Sequence, residues 1–259
     1  MIASSAESAA IGERRAQSAC DPPADRLIWR MATEIADGAV VATGVASPLA
    51  VLAIALARAT HAPRLTYLAC VGSLNPAVSR LYGSSEDLAY LAGRSAEISI
   101  PDLFDHARRG RIDTVFFGAV EVDGAGRTNL SATGSLARPT VKFPGVAGAC
   151  SLRRWCKRPV IVVPRQTRRA LVARVAVRST DDARPTRLLT DLATFTLARS
   201  GATLEAIAPG AALDDVRART GFDYAVAAPL PTLLDPPAGA IEAIHALDPA
   251  GYRRALVGT

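Results

Sequence analysis

The chain has little of what several common kinds of protein are built from. Three histidines (His61, His106, His245) and four cysteines (Cys20, Cys70, Cys150, Cys156) are the soft ligands it offers, without a CxxC pair, so no structural metal site is expected. Four thiols behind an amino terminus that has no apolar leader do not make a disulfide framework, and they point to reduced thiols in the cytoplasm. No apolar run approaches the roughly twenty residues that a membrane-spanning helix needs; the longest, Leu49 to Ala59, is about half that and contains Arg58. Aromatic residues make up 5% of the chain, too few to interleave with the basic residues as a single-strand nucleic-acid surface requires. Lysine is nearly missing: Lys142 and Lys157 are the only two among 30 basic residues, an arginine bias that fits a GC-rich coding sequence.

What remains is enough for a folded core. The 259 residues are 49% hydrophobic, with a mean hydropathy of +0.19 and a net charge of +6. Residues 1–25, rich in Ala and Ser, read as a disordered extension, and 26–259 as one α/β domain without internal repeats. The densest positive stretch, Arg153, Arg154, Lys157, Arg158, Arg165, Arg168 and Arg169, is either a solvated face or a contact for an anionic ligand or a partner.

From Asp25 onward helices and strands alternate. Leu27, Ile28, Met31 and Ile35 fall at helical spacing within Arg26 to Asp37, which Gly38 ends. A buried strand, Ala39 to Thr43, stops at Gly44. Ser47-Pro48 starts the next helix, with serine as its cap, and the chain returns as a second strand over Leu65 to Ala69. Such a βαβ unit makes the two strands parallel. Two groups then share one edge of the sheet: the Gly44 to Ala46 turn, whose N–H groups face an incoming anion, and the thiol of Cys70. A lone cysteine at a strand end is often inert packing, so its surroundings decide.

Further on, Pro101 to Arg109 forms a helix that carries His106, either a surface residue or a base. Thr114 to Ala119 is a strand, and the Asp-Gly and second glycine of Glu121 to Asn129 make a hairpin-like turn with positive backbone angles. Lys142 to Cys150 is a second glycine-rich loop, open to close approach of a ligand. Val160 to Val163 and Arg187 to Thr196 are strands. Leu213 to Thr220 and Ala238 to Leu247 are short helices on either side of the proline-rich stretch Pro229 to Pro237.

Taken together, these segments resemble a family. Val40-Val41-Ala42-Thr43-Gly44 before a helix, His61-Ala62-Pro63 before a strand ending at Cys70-Val71-Gly72, the Asp123 to Asn129 turn and the Pro144 to Ala149 loop stand in the order and spacing of the β subunit of class I CoA-transferases. Glutaconate CoA-transferase is the member they resemble most. The resemblance runs from about Arg26 to Thr259 and implies an open, mostly parallel sheet flanked by helices (the NagB/RpiA-like fold). It also implies an α subunit of the same family in an α2β2 assembly, a CoA thioester as substrate, and no cofactor besides that CoA. The positions it points to as binding the acyl group and its oxyanion are Gly44, Val45, Gly72, Asn129, Gly145, Gly148 and Ala149. At the end of the second strand such transferases have a nucleophilic glutamate that becomes an acyl anhydride and then a glutamyl-CoA thioester. Here Cys70 stands there, and Leu68 to Ser73 contains no carboxylate.

That exchange is shared with a decarboxylating branch of the family, which converts 3-methylglutaconyl-CoA to 3,3-dimethylacryloyl-CoA on a route to isovaleryl-CoA. A glutamate at position 70 sets a negative charge beside the substrate carboxylate, whereas a thiol removes it and has a proton to give. The alternatives are a nucleophilic thiol in a transferase or hydrolase, and a chain that only shapes a cleft for a catalytic partner.

Overall fold

The computed structural model describes residues 22–181 and 184–257. The expected extension, including Cys20, therefore lies outside the described residues up to residue 21. The boundary expected at residue 25 falls inside the first helix, α1 (Pro22–Thr33), in which Ala24 and Asp25 are already buried. Two prolines sit in its first turn, where the missing N–H groups cost nothing. The helix also ends before the expected Asp37. Glu34 and Ile35 donate to the carbonyls of Met31 and Ala32, a tighter turn that still buries Ile35.

The chain continues through β1 (Val40–Ala42), α2 (Pro48–Thr60), β2 (Thr66–Ala69), β3 (Ser73–Leu74), a 3-10 turn (Leu88–Leu91), β4 (Ala96–Glu97), α3 (Ile100–Arg108) and β5 (Thr114–Gly118). Two small hairpins follow, β6 (Glu121–Val122) with β7 (Thr128–Asn129) and β8 (Ala132–Gly134) with β9 (Pro139–Lys142). Then come α4 (Ala149–Trp155), β10 (Arg158–Val163), β11 (Thr186–Thr190), β12 (Ala193–Ala198) and β13 (Gly201–Ile207). The last elements are α5 (Leu213–Ala218), β14 (Tyr224–Val226), α6 (Ala238–Leu247) and α7 (Tyr252–Val257).

Ten strands form one sheet in the order β14-β13-β12-β11-β10-β5-β1-β2-β3-β4. Its centre, β11-β10-β5-β1-β2, is parallel throughout, and antiparallel strands extend it on both sides. The expected strand Arg187 to Thr196 is in fact the β11–β12 hairpin. Thr190 breaks it, its Oγ1 accepting from the N–H groups of Leu192 and Ala193 to close a tight turn. Alternation along the central strands splits the core. Val41, Tyr67 and Phe116 pack under α1, α2 and α6, while Ala42, Leu68 and Phe117 pack under α3 and α4.

Ion pairs tie the ends of the chain to this core. Arg253 of α7 is almost fully buried and donates from Nε to Asp25 Oδ1 at 2.5 Å and from Nη1 to Asp248 Oδ2 at 3.0 Å. Removing one member leaves buried charge without its counterpart, so Arg253→Ala is expected to cost about 3–5 kcal/mol in urea unfolding. The arginine-rich segment is likewise not one face. Arg153 is buried and donates to Thr180 Oγ1 at 2.6 Å and to the Gly126 carbonyl at 3.0 Å, whereas Arg165, Arg168 and Arg169 are exposed. Among the described residues no helix is long and apolar enough to cross a membrane, no group of three or more His, Cys, Asp or Glu could hold a metal ion, and Cys70 and Cys150 are free thiols.

Candidate active site

Parallel strands turn in opposite directions at β1. The chain passes from β1 to β2 on one side and later places β5 on the other, so a crevice opens outside the carboxyl ends of β1 and β5. A cleft of about 200 Å³ lies there, lined by Gly44 to Ser47, Phe116 to Gly118 and the Phe143 to Ala149 loop. The structure thus brings Gly44, Val45, Gly145, Gly148 and Ala149 together. Gly72 opens instead on a separate hollow beside Ile98, Ser99 and Asp102. Asn129 is fully buried: Nδ2 donates to Glu121 Oε2 at 2.8 Å and to the Ala132 carbonyl at 2.7 Å, and Oδ1 accepts from Ser131 N at 2.9 Å. Its side chain holds the turn that leads toward the cleft loop and does not line the cleft.

The loop is shaped by backbone constraints. Gly145 has φ 97° and Ala147 φ 41°, both in the left-handed region. Space is tight at Gly148: a Cβ there would lie 2.3 Å from Phe104 Cζ of α3, so the ring or the loop would have to shift. The N–H groups of Gly145 and Ala149 donate within the chain, to Leu130 at 2.9 Å and Val146 at 2.8 Å. Among the described residues no protein acceptor receives the Gly148 N–H. In the Asp123 to Asn129 turn only Gly126, φ 78°, has the positive angle expected of both glycines.

Cys70 occupies the second position of the tight β2–β3 turn, closed by Gly72 N–H donating to the Ala69 carbonyl at 3.0 Å, with Gly72 at φ 102°. Its Sγ is half-buried, 3.2 Å from the Gly44 carbonyl and 3.5 Å from Glu86 Oε1, so one S–H proton lies between two acceptors. Burial first, then the negative charge of Glu86 and the hydrogen bond to it, push the thiol up to about 12. Cys70 is therefore neutral at physiological pH.

Glu86 is the residue that sequence reasoning missed. Burial alone would raise its carboxyl, but hydrogen bonds from Ser85, Ser84, the Ala46 N–H and the thiol outweigh that and hold it below the usual carboxylate range. The Ala46 N–H reaches Oε1 at 2.8 Å, and Ser84 Oγ reaches Oε2 at 2.7 Å. Ser85 Oγ, fully buried, donates to Oε1 and accepts from Ser47 N at 2.9 Å. Two expectations change as a result. The turn before α2 does hold an anion, but the anion is the chain's own carboxylate, so the Ala46 and Ser47 donors are already taken. Ser47 does not cap α2 through its side chain, which donates to the Val45 carbonyl; Ser85 serves its N–H instead. Nor does the thiol free the strand end of negative charge, because Glu86 places a carboxylate directly behind it. Only a Ser-Ser-Glu loop some distance along the chain hinted at this.

His106 lines a different groove, near Asp102 and Arg111 at the opposite ends of the strands, and is not brought to the cleft.

The coenzyme A transferase family matches residues 25–219, and the chain belongs to it. The chain superposes with a TM-score of 0.90 on a chain of the crystal structure of the decarboxylase AibA/AibB, 60% identical over 92% of this chain and 100% of that one. Four further structures of that decarboxylase have valine, asparagine, serine or alanine in place of one of its cysteines. Glutaconate coenzyme A-transferase from Acidaminococcus fermentans shares the fold, with a TM-score of 0.79 at 19% identity over 90% of this chain and 97% of that one. One of the subunits of 3-oxoadipate CoA-transferase from Pseudomonas knackmussii is 30% identical over 150 residues, 56% of this chain, which spans about half (55%) of that relative's length.

Proposed function

We propose that this chain is the β subunit of a cytoplasmic two-subunit decarboxylase that converts 3-methylglutaconyl-CoA to 3,3-dimethylacryloyl-CoA, with no cofactor beyond the CoA of the substrate. The observation that carries this reading is the protonated thiol of Cys70 at the strand end where transferases of the family have a nucleophilic glutamate. The 60% identity to a decarboxylase supports it.

In this reading the distal carboxylate leaves as CO2, and the electron pair of the broken C–C bond is delocalised through the double bond onto the thioester oxygen. The Gly148 N–H is the chain's donor to that oxygen. The S–H of Cys70 then breaks, its proton goes to the terminal carbon, and the thiolate regains a proton from water. A thiol held near 12 is a poor nucleophile at neutral pH and remains a proton source, which disfavours the transferase and hydrolase alternatives. An α subunit closes the cleft. The β8–β9 hairpin, which runs into the cleft loop, carries exposed Leu136 and Val141, 68% and 51% accessible, apolar surface that such a partner would cover.

The test is CO2 release from 3-methylglutaconyl-CoA by this chain copurified with its α subunit, with and without acetate. Release independent of acetate, with the CoA ester intact in the product, is the expected result. Acetyl-CoA formation without CO2 would overturn the proposal.

A further inference from the structure

We propose that Glu86 is the positioning residue of the site, fixing the Cys70 thiol in its protonated state and in one orientation; this deepens, and rests on, the reading of Cys70 as a proton donor. The geometry points to it from three sides. Glu86 reaches Cys70 across the turn, with its Oε1 3.5 Å from Sγ. It is itself immobilised by Ser84, Ser85 and the Ala46 N–H, with Ala46 in the left-handed region at φ 52°, a conformation an alanine adopts only at a cost. It also fills the anion-accepting turn before α2, where it takes the Ala46 N–H, so a substrate carboxylate cannot settle there.

The groups facing Cys70 are few. From β2 comes Tyr67, whose hydroxyl pairs with Thr43 Oγ1 at 3.0 Å; from the segment after β1 come Thr43 and the Gly44 carbonyl; from the Ser84 to Asp87 loop comes Glu86. Burial holds Tyr67 un-ionised to higher pH than usual, and Thr43 carries no charge. Glu86 is thus the one ionised neighbour of the thiol among the described residues. A thiol proton held between a carboxylate and a carbonyl is also held in direction. Gly44, which supplies that carbonyl, lines the cleft.

The test is the pH dependence of Cys70 alkylation by iodoacetamide, read at that residue by peptide mass spectrometry so that the other cysteines do not interfere. In Glu86→Gln, which keeps the acceptor oxygen and removes the charge, the midpoint should fall by at least about one pH unit, making alkylation near pH 8 roughly tenfold faster than in the natural chain. Glu86→Asp, which keeps the charge, should retain the high midpoint. An unchanged midpoint in Glu86→Gln overturns the proposal, as does an equal fall in both variants, which would make the effect one of packing and not of charge. Should Glu86→Gln fail to fold, the S–H infrared band of the unaltered chain, taken as a difference against Cys70→Ala, decides. Its persistence at about pH 10 is expected, and its loss there overturns the proposal. Neither readout needs substrate, so a failure of the decarboxylase reading leaves them intact.

Discussion

Replacing Cys70 with alanine should lower kcat for CO2 release by roughly a hundredfold to ten-thousandfold, the span over which a positioned general acid acts. KM should move little, because Sγ contributes a proton and hardly any binding surface. Cys70→Ser is expected to recover only part of the loss, its oxygen being shorter-reaching toward both Gly44 and the substrate carbon. The obvious reversion, Cys70→Glu, should be worse than alanine. It would set a second carboxylate against Glu86, which stands 3.5 Å from the present sulfur, and two carboxylates at that distance cannot both ionise freely. Folding should also report on the thiol. Its pKa is raised from 9.0 to about 12 in the folded chain, so the stability it contributes is complete below pH 9 and is lost as pH rises toward 12; Cys70→Ala should lose less stability over that window. A kcat for Cys70→Ala within a few fold of the natural chain would make the thiol's role spatial.

The second large effect belongs to the loop opposite. Gly148→Ala places a methyl group 2.3 Å from Phe104 Cζ, so either the ring or the loop must shift, and the Gly148 N–H proposed to receive the thioester oxygen shifts with it. Losing such a donor typically costs a hundredfold to a thousandfold in kcat, about 3–4 kcal/mol. Because the clash is with a side chain, Phe104→Leu in the same chain should restore part of the rate by making room. A rate unchanged in Gly148→Ala, measured as CO2 release at saturating substrate, would remove Gly148 from the mechanism.

How far the sequence reveals this depends on the range of the interactions involved. The β1–α2–β2 unit and the joining of Cys70 to the Gly44 turn are legible, since alternating apolar residues, a glycine stop and Ser-Pro act within a few residues of one another. The α6 helix, Ala238–Leu247, is legible for the same reason. Thr190 reads as part of one strand because its turn depends on a side-chain oxygen accepting from two amides, a geometry that composition does not display. Asn129 reads as facing the ligand, yet an asparagine in a hairpin turn satisfies nearby backbone more readily than it reaches outward. Glu86 escapes because its distant partners, Ala46 and Cys70, lie on two other segments that meet it only in three dimensions. A lone glutamate after two serines has no period to betray it.

One measurement bears most directly on the claim that Cys70 works as a neutral proton donor and not as a nucleophile. The complete αβ enzyme is quenched with acid during steady turnover of 3-methylglutaconyl-CoA, and this chain is weighed intact by mass spectrometry. The unmodified mass is expected while CO2 accumulates. An acyl group on Cys70, or CoA bound through Glu86, would contradict it.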